Sequence, residues 1–586
     1  MKKITKIFAA LLALLMIAGA LAACTQQTPT TAPTTKPTTA PTVKPGESTA
    51  PTDAAPTEPQ ETEYTGHKKK RDKNTIIVGV PRNSKVEDYE TNEWTLWLEE
   101  TTGINLEFEY FSSTAADYRS QLATRIANWE NEEMPDLLWG FTLSDDLIKS
   151  YGDDGYFIDL APYYNDKEKS KNFWEQMDRI YSTDPAFVND IMTKLTDQDT
   201  GAMYAAARIE YGLIDPMHYQ LYINQRWLDK LHLKAPTNLD ELYDVLVAFR
   251  DQDPNGNGLK DEIPLIGNGS STVYGQAVDW LLNFFVYEYK GRWWNVDDNQ
   301  NLYLPYNTNE YREGLKFVNK LWSEGLISNS YFATANKDIK ALMSADEATI
   351  GIVSCHQSVI YTTDAPLMWD YVPLKLVNYA VKDGQSFNKR NYITADCQYP
   401  DQAWKVLEAM NSIEGSNRGY YGVKGRDWDD ADPGAMSIFG WPAELKDINH
   451  IWGNITNEHW GVVNFFAWWS ENEYTQMSDM TYWEKTRIER MVDFYKYYEE
   501  CYQNNNPKYF LKSSLVYSTT EKEATQDIRS NVQKAINEAY TGFITGEGYD
   551  INSDKDWNDY VKLLDDLGLK TWQEQAQRLY DAQQRK

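Results

Sequence analysis

Short apolar runs and amphipathic stretches alternate between residues 75 and 139. Thr75 to Val80, Ile104 to Phe108 and Asp136 to Trp139 have the apolar and β-branched composition that is typical of short strands. Between them, Trp94 to Glu100 and Tyr118 to Trp129 repeat apolar residues at helical spacing. Strand, helix, strand, helix, strand at these lengths predicts an α/β lobe with a mainly parallel sheet.

The pattern becomes mainly helical from about residue 225, although strand-like runs recur. Before it, Ala205 to Arg208 and Tyr219 to Ile223 are predicted strands; within it, Ala348 to Val353 is a further predicted strand, and the helices include Thr481 to Tyr502 and Asp556 to Leu567. The sequence contains no internal repeat of fixed period. Because a body of residues 74–586 is too long for one simple core, we expect two lobes.

The first residues form a targeting segment. Three early lysines supply positive charge, and an apolar run from Ile7 to Ala20 follows. This run is too short, and wrongly flanked, for a permanent transmembrane helix. It ends in Leu21-Ala22-Ala23-Cys24, and small residues before a single cysteine resemble the lipobox of bacterial lipoproteins. The resemblance implies removal of residues 1–23 and lipid attachment to Cys24, whereas the alternative is a plain secretory signal with an incidental cysteine.

Residues 24–73 are rich in Thr and Pro and have almost no large apolar side chains. Such a chain cannot bury enough surface to offset the entropy lost on ordering, so we expect a disordered, semi-extended tether. The tether ends in the basic run Lys68-Lys69-Lys70-Arg71, which either touches anionic lipid or cell-wall polymer or is a solvated linker end. The predicted mature protein is a soluble body anchored by its lipid to the outer face of the cell membrane.

The charge balance excludes one class of partner. The net charge of the chain is −30 at pH 7, which argues against nucleic acid and suits a soluble surface protein. Besides Cys24, the chain has Cys355, Cys397 and Cys501, an odd number that cannot all pair and whose spacings match no zinc site. The sequence also lacks a serine elbow, a zinc-protease motif and a P-loop.

The stretch from Asp251 to Glu262 matches a twelve-residue calcium loop. Asp251, Asp253 and Asn255 place oxygen-bearing side chains at positions 1, 3 and 5. Gly256 takes position 6, where the turn requires a positive φ. The spacing therefore predicts a calcium site in this loop.

The rest of the loop and its flanks agree with this prediction. Asn257 can offer its backbone carbonyl at position 7, and Glu262 closes the loop at position 12 as a bidentate ligand. A helix capped by Thr237 or Asn238 precedes the loop and a strand follows it, so we predict a structural calcium site that is half an EF-hand. The alternative is a Gly/Asn-rich turn without a metal.

Four segments occur in an order that is similar to that of a known family. They are Trp94 to Ile104, ending Glu-Thr-Thr-Gly-Ile; Tyr222 to Pro236, followed by the helix and the calcium loop; Tyr399-Pro400-Asp401-Gln402-Ala403-Trp404; and Gly542 to Gly568 with the aromatic-rich tail to Tyr580. Together they resemble the extracellular solute-binding proteins of carbohydrate ABC importers, a maltose-binding-like family, in its Firmicutes-type lipoprotein branch. The resemblance covers most of residues 74–586.

The resemblance implies an α/β fold of the periplasmic-binding-protein type II, with two lobes, a hinge and a helix-rich second lobe. The first lobe would hold residues 74–222 and 390–440, and the second would hold 223–389, with the calcium loop 251–262, and 441–586. A sugar or oligosaccharide would be captured in the cleft as the lobes close. The protein would deliver it to the transmembrane subunits of an ABC permease, and would be a monomeric receptor rather than an enzyme.

The chain contains 21 Trp, 40 Tyr and 19 Phe, and sugar clefts combine aromatic rings for C–H faces with polar groups for hydroxyls. Trp139 follows the third predicted strand, at a strand end that faces the cleft in the resembled family. The candidate ligand contacts are Trp139, Tyr274, Trp280, His356, Gln357, Trp441, and Trp468 or its neighbour Trp469. For each of them the alternative is ordinary packing.

Two other functions stay open from the sequence. One is a surface glycoside hydrolase or polysaccharide lyase, which would need catalytic carboxylates at a set separation. The other is a glycan-binding or sensor lipoprotein that works without a permease.

Overall fold

The computed structural model describes residues 72–182, 185–210, 219–269, 277–288, 293–356, 367, 370–381, 386–449, 451, 457–460, 474–476, 482–505, 511 and 515–583. Its strands are Thr75–Pro81 (β1), Asn105–Phe111 (β2), Leu137–Trp139 (β3), Ala206–Glu210 (β4), Tyr219–Asn224 (β5), Ile263–Gly267 (β6), Asn295–Val296 (β7), Leu302–Tyr303 (β8), Ile350–His356 (β9), Tyr371–Pro373 (β10), Ser386–Ile393 (β11), Trp428–Asp430 (β12) and Leu445–Asp447 (β13).

The described helices follow the same order along the chain. They are Glu93–Thr102 (α1), Ala115–Ala127 (α2), Asp145–Asp153 (α3), Ala161–Tyr164 (α4), Lys171–Tyr181 (α5), Pro185–Leu195 (α6), Gln225–Lys230 (α7), Leu239–Asp251 (α8), Ala277–Leu282 (α9), Asn309–Ser323 (α10), Asn336–Met343 (α11), Pro400–Met410 (α12), Ile413–Tyr421 (α13), Tyr482–Asn505 (α14), Thr519–Thr545 (α15), Asp554–Asp566 (α16) and Leu569–Gln583 (α17). All of them belong to one unit, Tyr64–Lys586. Among these helices, none is both long enough and apolar enough to cross a membrane.

The first sheet is mixed: β1, β2 and β3 pair in parallel, as their spacing predicts, but the two pairings made by the later strand β11 are antiparallel. Its strand order is β2-β1-β3-β11-β4, and β1 pairs in parallel with both β2 and β3. Strand β11 comes from much later in the chain and runs antiparallel to both β3 and β4, with Asn391 opposite Trp139. The two-lobed α/β fold is therefore built on a first lobe whose sheet is completed by a returning strand.

The second sheet defines the second lobe. Its strand order is β10-β5-β9-β6, with β6 parallel to β9 and β5 antiparallel to β9. The predicted boundary at residue 222 falls inside β5, where Tyr222 pairs with Val353 of β9. Since strand pairing is continuous along β5, the chain leaves the first sheet after residue 210 and returns to it at Ser386, slightly before the predicted residue 390.

Each lobe has its own apolar core. Alternate residues of a strand point to opposite faces of its sheet, so β3 sends Leu137 and Trp139 into one core and Leu138 into a second core on the other face. A separate, larger core surrounds the second sheet and includes residues of α8, α9, α10, α14 and α15. Helix α8, which precedes the predicted calcium loop, is capped by Asn238, whose side chain accepts a hydrogen bond from the Glu241 amide.

A small hairpin of β12 and β13 connects the two lobes. Glu444 forms an ion pair with Arg179 of the first lobe, whereas Phe439 lies 5.6 Å from Tyr495 of α14 in the second lobe. The predicted change of lobe at residue 440 therefore falls inside a unit that contacts both lobes. Residues 457–460 lie beyond it in sequence, yet Trp460 packs in the core of the first lobe.

Candidate functional site

Two of the predicted ligand aromatics lie inside the lobes rather than in a cleft. Trp139 is 2% exposed, and its ring is covered edge-on by the rings of Trp94 and Trp460. Trp280 is 3% exposed on α9 and packs 5.8 Å from the ring of Tyr498. The sequence predicted that both present a ring face to ligand, but the structure places both in apolar cores. Trp139 ends strand β3 and Trp280 lies within helix α9, and in both elements every residue is buried.

Trp441 is the predicted ligand residue that the structure places at the surface. Its side chain is 36% exposed and stacks on Phe439 with ring centroids 5.1 Å apart and an interplanar angle of 26°. Tyr474 braces it from another side, at 6.1 Å. Trp441 thus offers a supported aromatic face, although it lies far along the chain from Trp139 and in a different packing cluster.

The other predicted ligand contacts lie outside the described part of the chain. These are Tyr274, Gln357, Trp468 and Trp469 in full, and the side chain of His356, whose backbone ends strand β9. Cys24 and the tether of residues 24–73 lie outside it almost entirely. Their roles stay predictions.

A cavity of about 380 Å³ lies where the first lobe meets the segment that enters α15 of the second lobe. The first lobe contributes Thr142, which follows β3, together with Asp145, Lys149, Tyr204 and, from β11, Lys389. The second lobe contributes Tyr517 and Lys522. The volume is within the range of small-ligand pockets, and its walls belong to the carboxyl end of β3 and the start of β11.

Opposite charges alternate around this cavity. Lys389 bonds Asp145 at 3.0 Å, and Lys522 of the second lobe lies 3.5 Å from Asp146 of the first. Lys149 lies 3.0 Å from Asp197, and although burial opposes its charge, the neighbouring carboxylates raise its pKa above the usual value. Because the charges are paired, the cavity offers many donors and acceptors with little net charge, which suits a neutral, hydroxyl-rich ligand.

Sequence reasoning missed these cavity residues because they come from distant segments. Tyr204 adds a ring whose hydroxyl donates to Asp153 at 3.1 Å, and burial and that carboxylate raise its pKa. Only the pairing of β11 with β3 brings Lys389 near Asp145, and no short motif records such a non-local contact.

The loop between α8 and β6 gathers several oxygen-bearing side chains, as the sequence predicted, but with a different first member. Asp251 is turned away and is held by Arg250, whose Nε and Nη2 donate to its two carboxylate oxygens at 2.8 Å each. This ion pair lowers the pKa of Asp251. The carboxylate of Asp251 therefore faces the end of α8 instead of the loop, which differs from the position expected of the predicted first ligand.

Asp253 is the first side chain that turns into the loop. Its two oxygens accept from the amides of Gly256 at 2.9 Å and Gly258 at 3.1 Å. Both glycines have positive φ, 81° and 77°. Counted from Asp253, Gly258 is the sixth residue, which is where a calcium loop needs its sharp turn.

Asp261 also turns its carboxylate into the loop, although it was not among the ligands predicted from the sequence. The side-chain amides of Asn255 and Asn257 donate to its two oxygens at 2.9 and 3.1 Å. One oxygen of Glu262 is buried without a hydrogen-bond partner among the described residues. Burial, reinforced by the charges of Asp261 and Asp253, raises the pKa of Glu262.

These oxygen donors fit a hard divalent cation such as calcium. Asp253, Asp261 and Glu262 supply carboxylates, and half a turn about χ2 would present the amide oxygens of Asn255 and Asn257. In the part of the chain that the structure describes, no three His, Cys, Asp or Glu side chains already stand close enough together to hold a metal. Binding would thus require the carboxylates to draw together around the ion.

No family model matches the sequence. The fold is nevertheless that of the solute-binding proteins of ABC transporters, as comparison with solved structures shows. A structure of a solute-binding protein from Bifidobacterium longum infantis, described as binding human milk oligosaccharides (HMO), has a TM-score of 0.67 at 21% identity, covering 87% of this chain and 99% of that one.

Comparison of sequences finds relatives of the same class. The fructooligosaccharide ABC transporter substrate-binding protein FusA of Streptococcus pneumoniae is 23% identical over 516 residues, which are 83% of this chain and 86% of FusA. A FusA structure described as an EF-hand mutant with fructo-nystose matches with a TM-score of 0.62, at 19% identity and over 87% and 99% of the two chains. The alginate-binding protein AlgQ2, in a structure without calcium ion, matches with a TM-score of 0.59 at 19% identity, over 89% and 100% of the chains.

Proposed function

We propose that this protein is the receptor of an ABC importer: it captures an oligosaccharide between its lobes and delivers it to a permease. The observation that carries the proposal is the likeness to FusA over most of both chains, together with a charge-paired cavity at the meeting of the two lobes. The relatives' names refer to fructo-oligosaccharide, milk oligosaccharide and alginate, which supports a carbohydrate ligand. Closure of the lobes would bury the ligand and present one surface to the transmembrane subunits.

The direct test is a thermal-shift screen of glycans on the soluble unit Tyr64–Lys586. The panel should include fructo-, milk-type, galacturonate and alginate oligosaccharides. We expect one class to raise the melting temperature without being altered, because we propose a receptor and not an enzyme. Release of shortened glycans during incubation would instead support a hydrolase or lyase, and a panel without any shift would remove the carbohydrate proposal.

Lys389→Met is expected to weaken binding of the glycan found in that screen by about 1.5–3 kcal/mol, the usual contribution of a hydrogen bond to a charged group. Lys389 lines the cavity, and its side chain is 17% exposed beside Asp145. Isothermal calorimetry would measure the change. Lys555→Met is the matched control, since Lys555 bonds Asp559 on the outer surface of α16 and should leave affinity unchanged. Equal affinities of all three proteins would place the ligand elsewhere.

We propose that the protein is held on the outer face of the cell membrane by lipid on Cys24, as the lipobox-like sequence predicts. The relative named lipoprotein LipO of Bacillus subtilis, 27% identical over 266 residues, supports this anchor. Cys24→Ala should release the protein into the medium or leave an unprocessed precursor, because each buried methylene of the lost lipid contributes about 0.8 kcal/mol to membrane binding. Fractionation of cells by immunoblot measures this, and a processed variant that stays with the membrane would contradict it.

We further propose that calcium occupies the loop between α8 and β6, held by Asp253, Asn255, Asn257, Asp261 and Glu262. The unpartnered Glu262 oxygen and the mutual repulsion of three carboxylates support a cation there. The EF-hand and calcium wording attached to the FusA and AlgQ2 structures supports the same metal. Calcium would fix the end of α8 relative to β6 and have no role in contacting the sugar.

A further inference from the structure

Residues 457–460 occupy the crevice at the carboxyl ends of β1 and β3. In the first sheet, β1 lies between β2 and β3, so the connections that leave β1 and β3 diverge to opposite sides. In open α/β sheets, such a divergence creates the crevice in which ligands bind. Here the chain itself fills this space with Asn457, Glu458, His459 and Trp460.

Asn457 supplies the hydrogen bonds that a ligand would otherwise make. Its carbonyl accepts from the Glu93 amide at 2.8 Å, at the start of α1, and its side-chain oxygen accepts from the Asp88 amide at 3.2 Å. Its side-chain nitrogen donates to the carbonyl and the hydroxyl of Thr91 at 3.1 and 3.0 Å. The Glu93 amide, a donor at the helix start that would favour an anionic or carbonyl oxygen, is therefore already used by Asn457.

Trp460 closes the crevice. It is fully buried, and its ring meets those of Trp94, Phe108 and Trp139 in edge-to-face contacts at 5.1, 5.2 and 5.4 Å. Its indole N–H donates to the Thr95 hydroxyl at 2.6 Å. Trp139 is 2% exposed, and the indole of Trp460 is one of the two aromatic rings that cover it.

Charged and polar side chains also hold the middle of the segment, at Glu458 and His459. Arg426 bonds both Glu93 of α1 and Glu458, the latter at 2.9 Å. The carbonyl of His459 accepts from the side chain of Asn92, the cap of α1, at 3.0 Å. Segment 457–460 is therefore tied to α1 through Glu93, Asn92 and Thr95 at once.

The number of these contacts decides between a removable plug and a fixed part of the lobe. Coupling between two sites in a protein usually changes an affinity by about 5–150-fold. Expelling 457–460 would expose a fully packed tryptophan and break the hydrogen bonds of Asn457, His459 and Trp460 together, which exceeds what that coupling can supply. A ligand would gain more by binding beside the segment than by displacing it.

We propose that residues 457–460 are a permanent occupant of this crevice, and that they keep ligand off Trp139 and direct it one strand along the sheet, to the cavity lined by Thr142, Asp145 and Lys389. The second half of the proposal rests on the proposed function. Thr142 follows Trp139 closely in sequence, and Lys389 lies on β11, the strand that pairs with β3, so the cavity adjoins the crevice.

The first experiment needs no sugar. Full-length protein in detergent is compared with Trp460→Ala and Trp460→Phe by thermal melting, with and without millimolar indole. We expect Trp460→Ala to melt at a lower temperature than the natural protein, and indole to restore part of the lost melting temperature. Indole should leave the natural protein unchanged, and Trp460→Phe should melt between the two.

If Trp460→Ala melts like the natural protein, Trp460 is not built into the lobe and the proposal fails. If Trp460→Ala does not fold, hydrogen exchange of the Glu93 amide in Asn457→Ala decides: faster exchange supports the occupant, and unchanged exchange contradicts it.

The second experiment separates a permanent occupant from a plug. Thr91→Cys combined with Asn457→Cys is treated with a short bis-methanethiosulfonate reagent, which joins the two thiols through reducible disulfides and locks the segment; in the natural protein the side-chain nitrogen of Asn457 lies 3.0 Å from the Thr91 hydroxyl oxygen. Thr91→Ser with Asn457→Ser is the unlocked control. The probes are kestose, a milk oligosaccharide and an oligogalacturonate. We expect the cross-linked and reduced forms to bind with dissociation constants that agree within about twofold. Binding that is lost on cross-linking and returns on reduction would overturn permanence. If no probe binds the natural protein, the proposed function fails, whereas the indole result still decides the first half.

Discussion

Trp280→Ala is expected to lower the free energy of unfolding by about 3 kcal/mol, in the lower part of the range for deletion of a core tryptophan. The ring of Trp280 is 3% exposed and packs against Tyr498 and Phe494 of α14, so its removal leaves a cavity between α9 and α14. The loss is not larger because its indole N–H is buried without a hydrogen-bond partner among the described residues, and removing such a group is favourable. Urea denaturation followed by far-ultraviolet circular dichroism measures the change.

The matched control is Trp441→Ala. Trp441 is 36% exposed and stacks mainly on Phe439, so its loss should cost about 1 kcal/mol at most. Affinity for the glycan separates the alternatives for Trp280. A variant with unchanged stability and weakened glycan binding would restore the stacking role that the sequence predicted, and would show that the second lobe opens at α9 in solution.

The elements that local pattern can specify were predicted well. Strands β1, β2 and β3 and helix α1 carry their own signals, which are β-branched runs, helical spacing and an Asn or Gly at the helix ends. The turn between α8 and β6 is also specified locally, because Gly256 and Gly258 both have positive φ within one short loop; that it binds calcium stays a prediction. These features depend on neighbours in sequence.

The features that escaped prediction depend on distant neighbours. Nothing near Lys389 shows that β11 returns to the first sheet beside β3. In the same way, nothing near Trp460 shows that it packs on Trp94, more than three hundred residues earlier in the chain. An abundance of aromatic residues suggests a sugar cleft, but burial decides which rings are free, and burial is a property of the assembled lobes.

The register of the calcium loop is an intermediate case. Asp251 and Asp253 are both acidic and two residues apart, so spacing alone allows either to be first. Arg250 resolves the ambiguity by taking Asp251 into an ion pair at the end of α8. A neighbouring basic residue is thus the signal in the sequence that favours a loop beginning at Asp253.

Removal of calcium is expected to lower the melting temperature of the protein, and Asp253→Ala or Glu262→Gln is expected to abolish this effect. An ion that binds only the folded protein stabilises it by about 2.7 kcal/mol when its free concentration is one hundred times the dissociation constant. Without the ion, Glu262 is partly buried and lies near the charges of Asp261 and Asp253, and burial first and these charges second raise its pKa. Differential scanning calorimetry with and without a chelator measures the shift, and elemental analysis measures the bound metal.

Asp251→Ala is the variant that tests the register. Since Arg250 holds Asp251 outside the loop, this variant should keep both its bound calcium and its sensitivity to chelator. Magnesium should replace calcium poorly, because it demands a smaller octahedral site and gives up its water reluctantly. If Asp251→Ala loses calcium as fully as Asp253→Ala does, the loop begins at Asp251 and closes at position 12. If the natural protein contains no metal and melts identically in chelator, the loop is a Gly/Asn-rich turn stabilised by the hydrogen bonds of Asp253 and Asp261.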